Sequence, residues 1–229
     1  MKPEQDGINT YREGALHLAL KRWYARPGDR LEADVEGCVV DLVRDDLLVE
    51  IQTGSFAALK PKLARLLPVY RVRIVHPVPA ERWIVKLDAA GKSVVSRRRS
   101  PMRGHVTHLF RHLIYLGDFM LHPNLSYEVL LVRDEEIRRD DGRGSWRRKG
   151  WSIQDRRLLD VLDAVSLETA ADFRGLLPGD LPQPFTTADL ASGLKQRRAV
   201  AQKMAYCLRH MAIIEIVDRQ RDGYRYRVV

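Results

Sequence analysis

Residues 40–54 place polar side chains at regular positions within an otherwise apolar stretch. Two short apolar runs flank the polar turn 44–46, and this spacing predicts a β-hairpin. Asp41 lies on the first strand, while Glu50 and Gln52 lie two residues apart on one face of the second. Carboxylates within a packed sheet are costly unless a cation compensates them, so the pattern favours an ion shared by Asp41 and Glu50.

The segments around this hairpin alternate between helical and extended patterns. A helix between the second and third strands implies a parallel crossover and therefore a mixed sheet. In chain order we expect a helix over 9–25, strands over 35–43 and 47–53, a helix over 56–67, a strand over 70–77, a hairpin over 82–96, a helix over 105–121 and a strand over 127–133.

The acids and the order of these segments resemble the PD-(D/E)XK nuclease superfamily over about residues 10–80, extended to about 135. The family pattern is an acid on one strand and Glu-X-Lys on the next, followed by a helix and a strand. Asp41 matches the first acid, Glu50 matches the second, and Gln52 occupies the lysine position. Glu13, on the first helix, matches the helical acid that is frequent in the family. The resemblance implies a restriction-endonuclease-like α/β (α+β) fold, a mixed sheet with flanking helices.

The resemblance also implies a metal-dependent chemistry. Asp41, Glu50 and the Ile51 carbonyl would hold Mg²⁺ or Mn²⁺, which activates water and neutralises charge at the scissile phosphate. Gln52 would orient that water, since glutamine can position water but carries no positive charge.

The motif departs from the family pattern at two positions. Gln52 stands where the family has lysine, and Val40 stands where it has proline before the first acid. Lys60 or Lys62, one or two turns into the following helix, would then replace the missing positive charge. Two readings without catalysis stay open at this stage: an exposed hairpin with ordinary surface acids, and a nuclease-like fold that has lost its chemistry.

A stretch rich in charge and glycine covers residues 134–150 and suggests a domain boundary. We expect a nuclease-like domain over 1–135, a basic linker over 136–151 and a second domain over 152–229.

The second domain resembles a winged helix-turn-helix, because its segments follow the order helix, helix, turn, helix, hairpin. We expect helices over 153–165 and 187–194, a recognition helix over 197–210 and a wing over 213–228. In DNA-binding members the third helix enters the major groove and the wing touches the backbone. The residues placed for such contacts are Lys195, Gln196, Arg197, Arg198 and Gln202 at the recognition helix, and Arg219, Arg221 and Arg225 on the wing.

The charge balance favours a polyanionic partner, since 39 Lys and Arg against 30 Asp and Glu give a net charge of +9. Residues 151–229 hold 12 basic and 10 acidic residues, a net +2, which leaves +7 for residues 1–150. In that first part, Arg97, Arg98 and Arg99 form a run that we expect to contact phosphate. A net charge of only +2 also fits a winged helix that binds protein.

The other motifs in the sequence give weaker indications of function. His105, His108 and His112 share one helical face at a spacing that could ligate a metal, but no Cys or acid completes the set nearby. Glycine-rich phosphate loops, serine elbows and dinucleotide fingerprints are absent from the sequence. The polar N-terminus, and the lack of an apolar run near the roughly 20 residues of a membrane span, predict a cytoplasmic protein without membrane contact.

The sequence therefore predicts a Mg²⁺- or Mn²⁺-dependent DNA nuclease that hydrolyses phosphodiester bonds while its winged helix engages duplex or branched DNA. The alternative is a catalytically inactive nuclease-fold DNA-binding regulator or complex subunit. A third interpretation, a protein-interaction scaffold, predicts no salt-sensitive affinity for DNA. Homodimerisation and the choice between endonuclease and exonuclease action stay open.

Overall fold

A computed structural model describes residues 14–221 and 223–229 of this 229-residue chain. Glu13, proposed above as the helical acid, lies outside the described residues. The described part combines one large mixed sheet, one two-stranded sheet and flanking helices. This confirms the expectation of a mixed α/β sheet with flanking helices.

The first part of the chain forms four strands of the large sheet and two α-helices. They are α1 (Ala15–Tyr24), β1 (Arg30–Val35), β2 (Cys38–Arg44), β3 (Leu47–Ile51), α2 (Lys60–Leu66) and β4 (Arg71–Leu87). Strands β1, β2 and β3 pair antiparallel, whereas β3 and β4 pair in parallel. The hairpin of β2 and β3 and the parallel crossover through α2 are therefore confirmed.

Local chemistry sets the ends of these elements. Asp45 has a positive φ of 51° in the β2–β3 turn, a conformation that Asp tolerates better than most residues. Ser55 begins a 3₁₀ turn over Phe56–Leu59 by accepting a hydrogen bond from the backbone N–H of Ala57 at 3.3 Å. Helix α2 follows this turn and ends before Pro68, which cannot continue it.

The remaining elements extend the sheet and add the C-terminal helices. They are β5 (Val94–Arg99), α3 (Phe110–Leu113), β6 (Leu125–Asp140), β7 (Trp151–Leu167), α4 (Ala170–Arg174), α5 (Thr187–Gly193), α6 (Arg198–His210), β8 (Ile214–Gln220) and β9 (Gly223–Val228). The large sheet has the order β1-β2-β3-β4-β6-β7, with β5 paired to the second part of β4. The small sheet is the antiparallel hairpin of β8 and β9.

The chain divides into two compact units, each made of separate segments. The described part of unit 1 comprises 14–26, Pro79–Arg103 and Val132–Leu162, and unit 2 comprises Pro27–Val78, Gly104–Leu131 and Asp163–Val229. Residues 136–151, expected as a linker, fall inside unit 1.

Unit 2 has an apolar core to which the C-terminal segment contributes. Phe173 and Phe185, from that segment, are fully buried, as are Phe110 and Tyr127. The ring of Phe173 lies 6.2 Å from that of Phe110 and 5.8 Å from that of Tyr127, between ring centroids. Burying a side chain of this size contributes about 1.5–3 kcal/mol, so these contacts couple the C-terminal segment to the residues of β6 and α3.

Unit 1 contains a buried ion network. Arg82 donates from Nε to Asp134 Oδ1 at 2.8 Å and from Nη1 to Glu136 Oε2 at 2.9 Å. Arg138 donates to the other oxygen of Glu136 at 2.7 Å. Paired hydrogen bonds of this kind offset the desolvation that buried charges would otherwise suffer.

Three expectations about secondary structure are wrong. Residues 153–165, expected as the first helix of the winged helix, belong to β7, which pairs with β6. Residues 35–43 are not one strand, because Glu36 and Gly37 both adopt positive φ and form a hairpin turn between β1 and β2. Residues 105–121 form 3₁₀ turns and the short α3 rather than one long helix.

The last three elements of the expected C-terminal order, α5, α6 and the β8–β9 hairpin, are present where the sequence predicts them. Thr186 is the N-cap of α5. Its hydroxyl accepts from the Asp189 backbone at 3.2 Å while the Asp189 carboxylate accepts from the Thr186 backbone at 2.8 Å. None of the described helices combines the length and the apolar surface that a bilayer crossing requires.

Candidate active site

The β2–β3 hairpin brings Asp41 and Glu50 together. Leu42 pairs with Val49, so the same register continued by one residue sets Asp41 opposite Glu50. Asp41 Oδ2 also accepts a hydrogen bond from the backbone N–H of Ile51 at 2.8 Å. The two carboxylates, expected to share one site, are therefore neighbours across the hairpin.

Glu50 is a buried carboxylate in an unfavourable environment for charge. Its side chain belongs to a residue that is only 6% exposed, and Oε1 accepts no well-directed hydrogen bond. The pKa of Glu50 is raised from 4.5 to about 7, because burial and the charge of Asp41 raise it by more than Lys62 lowers it. The site therefore favours a cation next to Glu50.

Lys62 supplies positive charge at this position. Its ammonium group forms an ion pair with the Glu50 carboxylate and donates to the backbone carbonyl of Val39. Lys60, the other candidate, is exposed and lies near Gly117. Of the two lysines that the sequence offered as a replacement for the missing charge, Lys62 is the one in contact with the carboxylate.

Gln52 is fixed by hydrogen bonds at the end of β3. Its backbone N–H donates to the Val75 carbonyl at 2.8 Å, which extends the parallel ladder. Its side-chain Nε2 donates to the Ser55 carbonyl at 2.7 Å, and its own carbonyl lies 2.6 Å from His76 Nδ1. Since a carbonyl only accepts, His76 carries its proton on Nδ1.

A cluster of rings borders this end of the site. The rings of His76, Phe56 and His112 contact one another, with centroid distances of 5.3 Å from His76 to Phe56, 4.6 Å from His76 to His112 and 5.6 Å from Phe56 to His112. Burial lowers the pKa of His76 from 6.5 to about 3, and the neighbouring His112 contributes to that shift. His76 is therefore a neutral imidazole at physiological pH. The sequence gave no signal for the contact of His76 with His112, which depends on tertiary packing.

The start of α6 adds positive charge beside these histidines. His108 Nε2 lies 3.0 Å from Gln196 Oε1, in the turn before α6. Arg197 lowers the pKa of Arg111, mainly shifted by burial, and Lys203 contributes to the lowered pKa of His112. Gln196, expected to contact DNA, thus contacts His108. Arg111 and Lys203 add positive charge near the start of α6, although the sequence analysis did not name them.

The donor set suits a hard divalent cation held by few protein ligands. Among the described residues, no three His, Cys, Asp or Glu side chains are grouped as a metal site. Asp41 and Glu50 form a two-carboxylate set, the kind that binds Mg²⁺ together with water and substrate oxygens. Ile51, whose carbonyl is the third expected ligand, donates its backbone N–H to Asp41 at 2.8 Å.

The other predicted DNA-contacting residues fall on two surfaces of unit 2. Lys195 lies in the turn before α6, and Arg198 and Gln202 lie on the exposed side of that helix. On the β8–β9 hairpin, the guanidinium of Arg219 lies 5.6 Å above the Tyr224 ring, Arg221 is in the turn, and Arg225 is partly buried.

The arginine run of β5 is exposed but largely engaged in ion pairs. Arg97 bonds to Glu135 at 2.7 Å and lies 4.2 Å above the Trp83 ring. Arg99 pairs with Glu81, while Arg98 projects from the same exposed strand. These carboxylates reduce the charge that the run offers to phosphate.

Comparison with known proteins places the chain in a family. The model of a family described as a domain of unknown function, DUF8091, matches residues 14–168. The chain is also similar to an uncharacterized protein of Treponema pallidum (strain Nichols), with 35% identity over 185 residues, 80% of this chain and 73% of that protein. No solved structure matches. The chain therefore belongs to the DUF8091 family, and the matched part contains Asp41, Glu50 and Lys62.

Proposed function

We propose that this DUF8091 protein is a metal-dependent DNA nuclease that hydrolyses phosphodiester bonds at the β2–β3 hairpin. The observation that carries the proposal is the proximity of Asp41 and Glu50 in that hairpin, where Asp41 accepts from the Ile51 backbone and Glu50 is buried with its pKa raised to about 7. A buried carboxylate beside a second acid is costly to keep without a cation, and perturbed carboxylates of this kind concentrate at functional sites.

Each side chain then has a role. Asp41 and Glu50 would hold Mg²⁺ or Mn²⁺, and a bound ion of this type lowers the pKa of water and offsets charge on phosphate. Lys62, which already faces Glu50, would stabilise negative charge developing on the phosphate. Gln52 is held by Ser55 and by His76, so its position relative to the two acids is fixed before substrate binds.

The C-terminal segment supports a winged-helix role in DNA engagement. Helices α4, α5 and α6 precede the β8–β9 hairpin, and Phe185 forms a bridge to Tyr226 on β9. This order corresponds to three helices and a wing, with α4 in the place that the sequence assigned to residues 153–165. The exposed Arg198 and Gln202 on α6 would contact DNA.

One observation favours a second candidate, a non-catalytic DNA-binding protein with the same fold. Lys62 already supplies a cation to Glu50, and Gln52 commits its amide nitrogen to Ser55. A site stabilised in this way can keep its acids without a metal. The two candidates differ in whether a divalent ion and both acids are needed for any activity.

A cleavage assay on linear, nicked and supercoiled DNA with Mg²⁺ or Mn²⁺ tests the proposal. Wild type is compared with Asp41→Asn and Glu50→Gln, and with Asp180→Asn as a control at an exposed loop carboxylate. The nuclease predicts cleavage by wild type and the control, and a loss of at least 100-fold in both site variants. DNA binding without cleavage under either metal would instead establish the second candidate.

A further inference from the structure

The connection between β6 and β7 presents an exposed tryptophan among cations. We define residues 141–150 as the β6–β7 tip, and within it Trp146 is 83% exposed. The tip holds four cations and one carboxylate, a net charge of +3, and the cations are Arg143, Arg147, Arg148 and Lys149. A single exposed apolar residue is unremarkable in itself, but an exposed indole in a basic loop is the pairing that single-stranded nucleic-acid sites use.

The tip is a closed loop rather than an open strand end. Gly144 donates to the Gly150 carbonyl at 2.7 Å, and a Cβ on Gly144 would lie 1.9 Å from the Trp151 carbonyl oxygen. Asp141 accepts from the Arg143 backbone at 3.0 Å and from the Ser152 hydroxyl at 2.9 Å. The one acid of the tip is therefore used to close the loop.

The cations of the tip have few partners among the described residues. In the part of the chain that the structure describes, none of the four forms an ion pair. Arg148 donates to the Trp151 carbonyl at 3.1 Å and so braces the loop. Arg147 places its guanidinium 5.4 Å from the centre of the Trp146 ring, which sets a phosphate-binding group beside a flat apolar surface.

We propose that the β6–β7 tip is a second nucleic-acid contact, in which Trp146 stacks on an unpaired base and the adjacent cations contact its flanking phosphates. An anionic membrane surface is the other kind of ligand that a basic loop with an exposed tryptophan could bind. However, Trp146 is the one apolar residue of the tip besides its glycines, and a single indole offers little area for insertion into lipid. This inference rests on the proposed function only in taking nucleic acid as the partner. Binding at the tip does not depend on hydrolysis at the β2–β3 hairpin.

The test measures binding without metal. A fluorescein-labelled single-stranded oligonucleotide of mixed sequence is titrated with the full chain in EDTA, and the anisotropy is followed. We expect Trp146→Ala to weaken binding roughly tenfold and Trp146→Phe to bind nearly as wild type, because stacking needs only an aromatic face. The control is Trp23→Ala on α1, where the indole is 50% exposed, and it should bind as wild type.

Two results would overturn the inference. One is equal oligonucleotide affinity for wild type and Trp146→Ala, including the case in which neither binds. The other is binding of phosphatidylglycerol vesicles by wild type with a blue shift of tryptophan emission that Trp146→Ala abolishes, without oligonucleotide binding. Since EDTA excludes metal-dependent cleavage, the outcome is independent of the hydrolysis proposed for Asp41 and Glu50.

Discussion

Lys62, on the helix that follows β3, forms an ion pair with the buried carboxylate of Glu50 on β3 itself. The sequence lacks a lysine two residues after Glu50, where the resemblance calls for one, and has Gln52 there instead. In the structure a lysine from the crossover helix α2 contacts the same carboxylate. Positive charge at the site thus depends on the helix α2 rather than on the strand.

Replacing Lys62 should reduce activity while replacing Lys60 should not. Lys62→Met removes the charge that faces Glu50, and we expect a fall in cleavage of about 100-fold, the size of effect seen when one electrostatic donor is lost. Lys60→Met, two residues away and exposed, is the matched control. Equal rates for the two variants would show that Lys62 has no part in catalysis.

Glu50 and His76 should give opposite dependences of stability on pH. The pKa of Glu50 is raised from 4.5 to about 7, so its contribution to stability is present below pH 4.5 and is lost as the pH rises towards 7. The pKa of His76 is lowered from 6.5 to about 3, so its contribution is present above pH 6.5 and is lost as the pH falls towards 3. Between pH 4.5 and 6.5, a rise in pH therefore weakens the contribution of Glu50 and strengthens that of His76 in the wild type.

Single variants should separate the two effects. Between pH 4.5 and 6.5, the free energy of unfolding of Glu50→Gln should rise by about 2–3 kcal/mol relative to wild type, and that of His76→Gln should fall by a similar amount. Urea denaturation at several pH values measures both. Parallel profiles for wild type and both variants would show that neither group titrates with a shifted pKa.

Breaking the ion network of unit 1 should strongly destabilise it. Arg82→Met leaves Asp134 and Glu136 buried without their main cation, and we expect a loss of about 3–5 kcal/mol in the free energy of unfolding. The exposed pair of Arg227 and Glu215 is the control, and Arg227→Met should cost less than about 1 kcal/mol. Denaturant titration would contradict this account if the two variants lost equal stability.

The start of α6 should control the salt dependence of DNA binding. If Arg197 and Arg198 each contact a phosphate, their alanine variants should each reduce the slope of log affinity against log salt by about 1. Arg71 lies at the start of β4 in an exposed ion pair with Asp46, and Arg71→Ala should leave the slope unchanged. An unchanged slope for all three variants would remove α6 from the DNA interface.

The parts of the fold that the sequence predicted are those set by neighbouring residues. The hairpin of β2 and β3 follows from apolar runs around a short polar turn, and the start of α5 follows from the cap formed by Thr186 and Asp189. Helix α6 follows from its apolar spacing, with Val200, Met204 and Leu208 buried as that spacing requires.

The sequence of strand β7 predicts a helix because its composition suits either structure. Leu158, Leu162 and Val165 recur at helical spacing, and its Arg, Leu and Gln residues have good helix propensity. Pairing with β6 decides in favour of the strand, and such pairing joins residues that local patterns do not connect.

The candidate site was predicted only where its residues share one hairpin. Asp41 and Glu50 could be identified from the sequence, because strand register alone brings them together. The contact of His76 with His112 and the contact of Lys62 with Glu50 depend on how helices pack on the sheet. The network of Arg82 with Asp134 likewise joins β4 to β6 and has no local signature.

The most direct test of the account is the binding of Mn²⁺, counted by the loss of the electron paramagnetic resonance signal of the free ion. Wild type should bind Mn²⁺ at a site that Mg²⁺ displaces, and both Asp41→Asn and Glu50→Gln should lose that site while Asp180→Asn keeps it. Binding that is unchanged in both site variants, or absent from the wild type, would contradict the claim that the β2–β3 hairpin is a metal-dependent catalytic site.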